Sequence, residues 1–422
     1  MAKRGEKQKN VNRPDSMKIC VCHTDLRLYW PDRLVAFEAF CRQRGAELAV
    51  VEISGKGSPY SFAGERADQP SWWHCLYPDK RMEDLNFREC TRKVGEKLTE
   101  LNIDVVIAGA LAFPSGAGAV RWGVRTGGKV VIMDNARRVD VPRSWFVNWI
   151  KRRIYQEVDA VMLPAQSHTA DYRFWGIKAE SMHFGLNVVN NSFFQNGSRL
   201  TRDAPDHHRE RLGLPGRFLL GVGRQVSKKN WMMLLDAWDI FHNKNPHSDL
   251  GLVLVGGGPE HEKLKARARS IDECNVHFHP FASRQEMRSY YGLAEAVVLP
   301  SRAGETWGLV VNEAMASGLP VLVSRQCGCA STLVDDGVNG WLVDADSVDS
   351  IEEAICGLEC ASKLQLAEMG AKSREIISEW GLNRFCEGAW AAAQQALTAP
   401  RRPFNLVNTT IVNLWNGRYR PT

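Results

Sequence analysis

The chain has 422 residues, more than one ordinary hydrophobic core organises, so two domains are expected. Hydrophobic residues at 44% and charged residues at 24% describe a soluble globular protein. No apolar run reaches the roughly 20 residues of a spanning helix, and a net charge of +6 is too modest for this length to point to nucleic acid as a partner. Eleven cysteines, an odd number scattered without CxxC spacing, argue against a disulfide framework and against a metal site. They read as reduced, buried thiols of a cytoplasmic protein.

The N-terminal "MAKRGEKQKNVNRPDS" is basic and polar with no apolar segment behind it, so residues 1–16 read as a disordered leader rather than a secretory signal. "MKICVCHT" is a short apolar run suited to a buried strand, and "RLVAFEAFCRQRG" follows with helical periodicity and a stop at Gly45. "AELAVVEIS", "DVVIAGA", "KVVIMD", "VDAVMLPA" and "AESMHFG" read as further strands, with "AGAVRWGVRTGG" as a helix closing on glycine. Alternation of continuous apolar strands with helices means a parallel sheet covered on both faces. Residues 191–216 are polar, rich in turn formers and without a strand, which marks a boundary. Alternation then restarts with "RFLLGVGR", "NWMMLLDAWDIFHNK" and "LGLVLVGGG", and continues through "VHFHPF", "AVVLPS", "PVLVS" and "GWLVD". Two doubly wound sheets in series, each of roughly five to seven strands, are predicted. The expected divisions are a first Rossmann-like domain over 17–197, a linker over 198–216 and a second Rossmann-like domain over 217–378. A helix over 379–398 and a tail over 399–422 complete the chain.

In an open parallel sheet, ligands bind beyond the carboxyl ends of the strands. After "RFLLGVG" come Arg224, Lys228 and Lys229; after "LVLVG" comes the glycine turn "GGGPE"; after "AVVLPS" comes "RAGETWGLVVNEAMASG". Two cations suit a dianionic diphosphate, and arginine adds a planar fork of donors. Free amides at a helix start add donors and a favourable dipole, and Gly308 lets the backbone approach closely. Glu305 falls just before the helix, beside the phosphates and what they carry. Glu313 lies about a turn and a half past Gly308, placed to accept hydrogen bonds from a vicinal diol such as a ribose. Lys228 reads as a solvated neighbour, and His168 as a capping or packing histidine.

These segments resemble the retaining glycosyltransferases of family four. "PSRAGETWGLVVNEAMASGLPVLVS" is similar to that family's Glu-x7-Glu signature, met by Glu305 and Glu313. "GVGRQVSKKN" resembles its Gly-Arg…Lys segment, "VGGGPE" its glycine turn, and "VHFHPFASRQEMRSYYGLAEAVVLPS" its base pocket. "LVDDGVNGWLVDADSVDSIEEAI" and "HFGLNVVNNSFF" resemble the closing segment and the domain boundary. The resemblance implies the GT-B fold: two Rossmann-like, doubly wound parallel-sheet domains facing a central cleft. It implies a nucleotide-diphosphate sugar as donor, with no metal and no other cofactor, and a sugar passed to an acceptor hydroxyl with retained configuration. Arg224 and Lys229 would stabilise the leaving diphosphate and Glu305 would orient the sugar. Gly223, Gly257, Thr306, Gly308, Leu309 and Glu313 would complete the nucleotide-sugar site, with Pro280 and Phe281 at the base. The expected product is a surface polysaccharide or glycolipid, from a glycan or lipid-linked acceptor.

Some segments depart from the family pattern. Where paired glycines follow the first strand, this chain has His23, Thr24, Asp25 and Arg27; His23, Asp25 and Arg27 are candidate acceptor contacts. Asp134 stands near the place of a frequent histidine and is a fourth candidate. Cys329 and Thr332 stand where glycine and glutamate are usual. A non-catalytic subunit of the same fold that binds a nucleotide-sugar or a partner enzyme, a nucleotide-sugar epimerase and a phosphorylase are alternatives. A dehydrogenase fits poorly, because "GVGRQVSKKN" lacks the third glycine of the dinucleotide fingerprint. The stretch 143–155, "RSWFVNWIKRRIY", is a basic, aromatic amphipathic helix with two readings. It lies on the inner face of an anionic membrane as a peripheral contact, or packs its aromatic face on the first domain. The last helix is expected to cross back to the first domain, and the tail to cover that domain or touch membrane.

Overall fold

The computed structural model describes residues 16–56, 69–271 and 275–418. Residues 1–15 of the expected leader lie outside the described residues. The first sheet contains β1 (Lys18–His23), β2 (Glu47–Ser54), β3 (Trp73–Tyr77), β4 (Val105–Ala108), β5 (Lys129–Met133), β6 (Ala160–Leu163) and β7 (Met182–Phe184). The second contains β8 (Arg217–Val222), β9 (Leu250–Val255), β10 (Val276–His279), β11 (Ala296–Leu299), β12 (Val321–Ser324) and β13 (Gly340–Val343). The orders are β3-β2-β1-β4-β5-β6-β7 and β10-β9-β8-β11-β12-β13, with parallel pairing throughout. β4, β6, β11 and β12 are buried along their whole length, because helices cover both faces. Each sheet reverses its winding once, between β1 and β4 and between β8 and β11. Those two switch points open crevices at the carboxyl ends of the strands.

Among the elements that the structure adds to those read from the sequence, two belong to the first domain. β3 is a half-buried edge strand, "WHCLY", with neither alternation nor a continuous apolar run to announce it. The helix Phe87–Glu100 buries a narrow stripe of Cys90, Val94 and Leu98 within an otherwise charged segment. Asn86 caps it, its side-chain oxygen accepting from the amides of Arg88 and Glu89.

The strandless stretch 191–216 holds two helices, Asn191–Asp203 and Pro205–Leu212. The first packs on the helix Arg284–Leu293 and buries Phe194 in the second sheet's core. The helix Leu382–Thr398 returns to the first sheet and lies over β4 to β7. Its small residues Ala389, Ala392, Ala393 and Ala396 are fully buried there. The final helix, Leu406–Leu414, packs on the helices Pro114–Thr126 and Trp145–Tyr155, so the tail covers the first domain.

Candidate active site

Three loops of the second sheet meet at its switch point. Beyond β8, Gly223 runs into Arg224 and a short turn, Ser227–Lys229. Beyond β9, Gly256 has φ +143, and a Cβ there would lie 2.0 Å from the Gly223 carbonyl oxygen. The β8 and β9 loops therefore touch backbone to backbone, which a side chain would prevent. Beyond β11, residues 300–308 lead to the helix Leu309–Ala316, whose cap Gly308 has φ +106. Leu309 and Val310, in the first turn of that helix, line the crevice.

A cavity of about 340 Å³ fills the crevice, within the usual range for a ligand site. Gly223, Arg224, Lys229, Phe281, Glu305, Leu309 and Glu313 line it, all candidates from the sequence. Lys228 lines it too, contrary to its reading as a solvated neighbour. Burial pushes the Lys228 ammonium below the usual lysine range, Glu305 opposing. Gly257, Pro280, Thr306 and Gly308 stand behind the lining: Gly257 sits under the Phe281 ring, Pro280 is exposed, and the Thr306 carbonyl faces His168.

Both glutamates are sequestered, and each has a partner. Lys229 Nζ donates to Glu305 Oε2 at 2.5 Å, with the two side chains 13% and 15% exposed. Burial pushes the Glu305 carboxyl up, but Lys229, Lys228 and Ser301 together pull harder, and it titrates below the ordinary glutamate range. Glu313 accepts from the hydroxyls of Tyr29 at 2.6 Å and Tyr291 at 2.5 Å. Here burial prevails over the two tyrosines and Arg284, and the carboxyl titrates above the ordinary range. The two carboxylates thus differ: one is an ion pair, the other a hydrogen-bond acceptor held by neutral donors.

Tyr29 belongs to the first domain and reaches Glu313 across the crevice. Arg284 crosses the other way to an ion pair with Asp32. Neither contact is foreseen in the sequence, since each joins residues far apart in the chain. Leu28, which also lines the cavity, has φ +59. A left-handed leucine is strained by about 1–2 kcal/mol, and it occupies the loop where the resemblance leads one to expect glycines.

The four acceptor candidates lie elsewhere in the first domain, and none lines this cavity. His23 stacks on Trp30 at 4.8 Å between centroids, and burial lowers its imidazole to about 4, against the pull of Asp25. It is neutral at physiological pH. Asp25 and Arg27 form an ion pair at 2.9 Å within their own loop. Asp134 is 5% exposed and accepts from Tyr155 at 2.8 Å and Lys151 at 3.4 Å. It braces the helix Trp145–Tyr155 from beneath. His168 is buried, and its Nε2 donates to the Thr306 carbonyl at 3.1 Å, so it packs across the domain junction onto the loop that carries Glu305.

Replacing Lys229 by methionine should strand the Glu305 carboxylate and destabilise the protein by about 3 kcal/mol at pH 7. The wild-type pair stabilises above the ordinary glutamate pKa and loses that contribution as pH falls through the depressed one. In the variant burial raises the Glu305 pKa against Lys228 and Ser301 only, so protonation relieves it sooner. The urea-midpoint deficit of Lys229→Met should therefore shrink between pH 7 and pH 5; an equal deficit at both would mean that packing, not charge, was lost.

Comparison with known proteins places this geometry. Residues 205–373 match the family model described as glycosyl transferases group 1. A GDP-mannose-dependent alpha-(1-6)-phosphatidylinositol monomannoside mannosyltransferase of Mycolicibacterium smegmatis is 32% identical over 191 residues, covering 43% of this chain and 48% of that protein. The chain spans about half the length of curated relatives it matches, 48% in two of them. Among solved structures, a glycosyltransferase from Rickettsia africae superposes with a TM-score of 0.70 at 13% identity, over 91% of this chain and 100% of that one. Anabaena HepE in complex with UDP superposes with a TM-score of 0.65 at 17% identity, over 88% and 98%. Those identities speak to the fold alone. The chain has the GT-B fold, and residues 205–373 within its second half are similar to the glycosyl transferases group 1 family.

Proposed function

We propose that the protein is a retaining glycosyltransferase that moves a sugar from a nucleotide-diphosphate sugar to an acceptor hydroxyl, in the synthesis of a surface polysaccharide or glycolipid. The observation that carries this reading is the convergence of Arg224, Lys228, Lys229 and Glu305 on one cavity at the start of a glycine-capped helix. Three cations and free amides are what a departing diphosphate needs, since charge grows on it as the bond to the anomeric carbon breaks. The reading therefore uses no metal. Lys229 is now tied to Glu305; a bound diphosphate would take a share of that ammonium and leave the Glu305 carboxylate beside the sugar. Glu313 would hold the ribose, whose diol would take the place of the Tyr29 hydroxyl. The first domain would present the acceptor. Neighbours in fold support a nucleotide donor, since HepE was solved with UDP, while the mycobacterial relative is named for GDP-mannose. The base is therefore to be measured.

The acceptor side adds a surface. Val139, Val141, Trp145, Phe146 and Trp149 are 66%, 53%, 79%, 51% and 37% exposed. Arg138 stacks on exposed Phe174, with its Cζ 3.9 Å from the ring centroid, and Arg153 lies over Trp149. The helix Trp145–Tyr155 packs inward through Ile154 and Tyr155 and turns Trp145, Phe146 and Trp149 outward. No helix among the described residues is long and apolar enough to cross a membrane. A basic surface studded with indoles suits peripheral contact with anionic lipid, where a lipid-linked acceptor would be met.

Incubation with a panel of UDP-, GDP- and ADP-sugars, read by thermal shift and nucleotide release, tests the catalytic reading. One donor should stabilise the wild type and be slowly hydrolysed, and Arg224→Ala and Glu305→Ala should each lose turnover by roughly a hundredfold. Binding without turnover, even with a lipid extract supplied, would favour the non-catalytic alternative. For the surface, the protein should sediment with vesicles of phosphatidylglycerol and phosphatidylcholine but not with phosphatidylcholine alone. Trp145→Ser with Trp149→Ser should abolish sedimentation; an undiminished pellet would contradict the contact.

A further inference from the structure

The loop after β5 alternates in direction. Arg138, Val139, Val141 and Pro142 face outward, while Arg137 and Asp140 turn inward and are 12% and 2% exposed. Those two side chains pair with each other and with the backbone of the second domain. Asp140 Oδ1 accepts from the Gly304 amide at 2.9 Å and from Arg137 Nη2 at 2.6 Å. The same Nη2 donates to the Glu305 carbonyl at 3.1 Å and to the Gln326 carbonyl at 2.7 Å. The Glu305 carbonyl also accepts from the Gly328 amide at 2.9 Å. The peptide group entering Gly304 and the one leaving Glu305 are thus tied down, the first through Asp140 and the second through Arg137 and Gly328.

We infer that Arg137 and Asp140 are positioning residues that set Glu305 from across the domain junction, so that docking of the two domains and alignment of the Glu305 carboxylate are one event. The argument runs through geometry. Gly304 and Glu305 precede the cap of the helix Leu309–Ala316, in a loop of irregular backbone. Such a segment is placed by the groups that satisfy its amides and carbonyls. Its amides at Arg302 and Ala303 are satisfied inside the second domain, by the Lys228 carbonyl and the Gln326 side chain. The Gly304 amide is satisfied by the first domain. When the domains part, this amide loses its acceptor and the Glu305 carbonyl loses its charged donor. A buried arginine–carboxylate pair aimed at the main chain is a rigid way to pass that information. The inference rests on the transferase reading for what Glu305 does, not for what holds it.

The test compares the wild type, Arg137→Ala, the double variant Arg137→Ala with Asp140→Ala, and Arg137→Lys. The double variant avoids leaving Asp140 buried without its partner. Hydrogen–deuterium exchange of the peptide over 303–308, in the unliganded protein, should quicken by about tenfold in the first two variants, with the peptide over 223–230 unchanged. With UDP-glucose and GDP-mannose as probes, kcat should fall by roughly ten- to a hundredfold, while the Kd of the corresponding nucleoside diphosphate stays at the wild-type value. Arg137→Lys should recover part of kcat. Unchanged exchange at 303–308, or faster exchange spread evenly over the second domain together with weaker nucleotide binding, would overturn the inference. Failure of the wild type to bind or turn over any donor would count against the transferase reading instead, and the exchange result alone would then decide the clamp.

Discussion

Two carboxylates are buried where the two sheets meet, and burying a carboxylate is unfavourable by several kcal/mol unless the chain supplies partners. Most of the junction follows from how those partners are supplied. Glu305 takes an ammonium from its own domain, at the end of β8. Glu313 takes one hydroxyl from its own domain and one from the other, Tyr291 and Tyr29. Charge pairing keeps the first ionised, and neutral donors leave the second with a raised pKa. A cleft built this way is closed by polar contacts that a polar ligand is able to exchange for its own.

The first domain therefore contributes more than a wall. Tyr29 satisfies Glu313, Asp32 pairs with Arg284, Arg137 and Asp140 hold the backbone around Glu305, and His168 holds the next carbonyl. Arg33 adds a buried guanidinium that donates to the Val188 carbonyl, on the segment that leads out of the first sheet. Helices stiffen the same junction: Asn191–Asp203 goes with the second sheet, and Leu382–Thr398 returns to the first. Two domains joined at two crossings, with several hydrogen bonds and ion pairs between them, are suited to hinge motion.

Much of this was legible in the sequence because parallel sheets write themselves plainly. Runs such as "AVVLPS" and "VDAVMLPA" are apolar on both faces and have no other reasonable setting. The rule that ligands gather beyond strand ends then selects Arg224, Lys229, Glu305 and Glu313 from the many charged residues. β3 and the helix Phe87–Glu100 left weaker traces, since an edge strand and a helix with a narrow buried stripe look polar. Tyr29, Arg137 and Asp140 left none, because their roles depend on how the domains dock; Tyr29 and Glu313 are 284 positions apart. The first-domain loop is read less directly. His23, Asp25 and Arg27 have the chemistry of a binding site, and the structure gives them contacts within their own loop and with Trp30 and Phe113. Asp134 likewise has its charge taken up by Lys151 and Tyr155.

If Glu313 receives the ribose in place of Tyr29, nucleotide binding and the Tyr29 contact compete for one carboxylate. Calorimetric titration of wild type and Tyr29→Phe with UDP, GDP and ADP measures that competition directly. The phenylalanine has no hydrogen bond to surrender, so the nucleotide that binds should do so roughly fivefold or more tightly, the equivalent of about 1 kcal/mol. Equal or weaker binding by Tyr29→Phe would contradict the account and would mean that the nucleotide does not use Glu313.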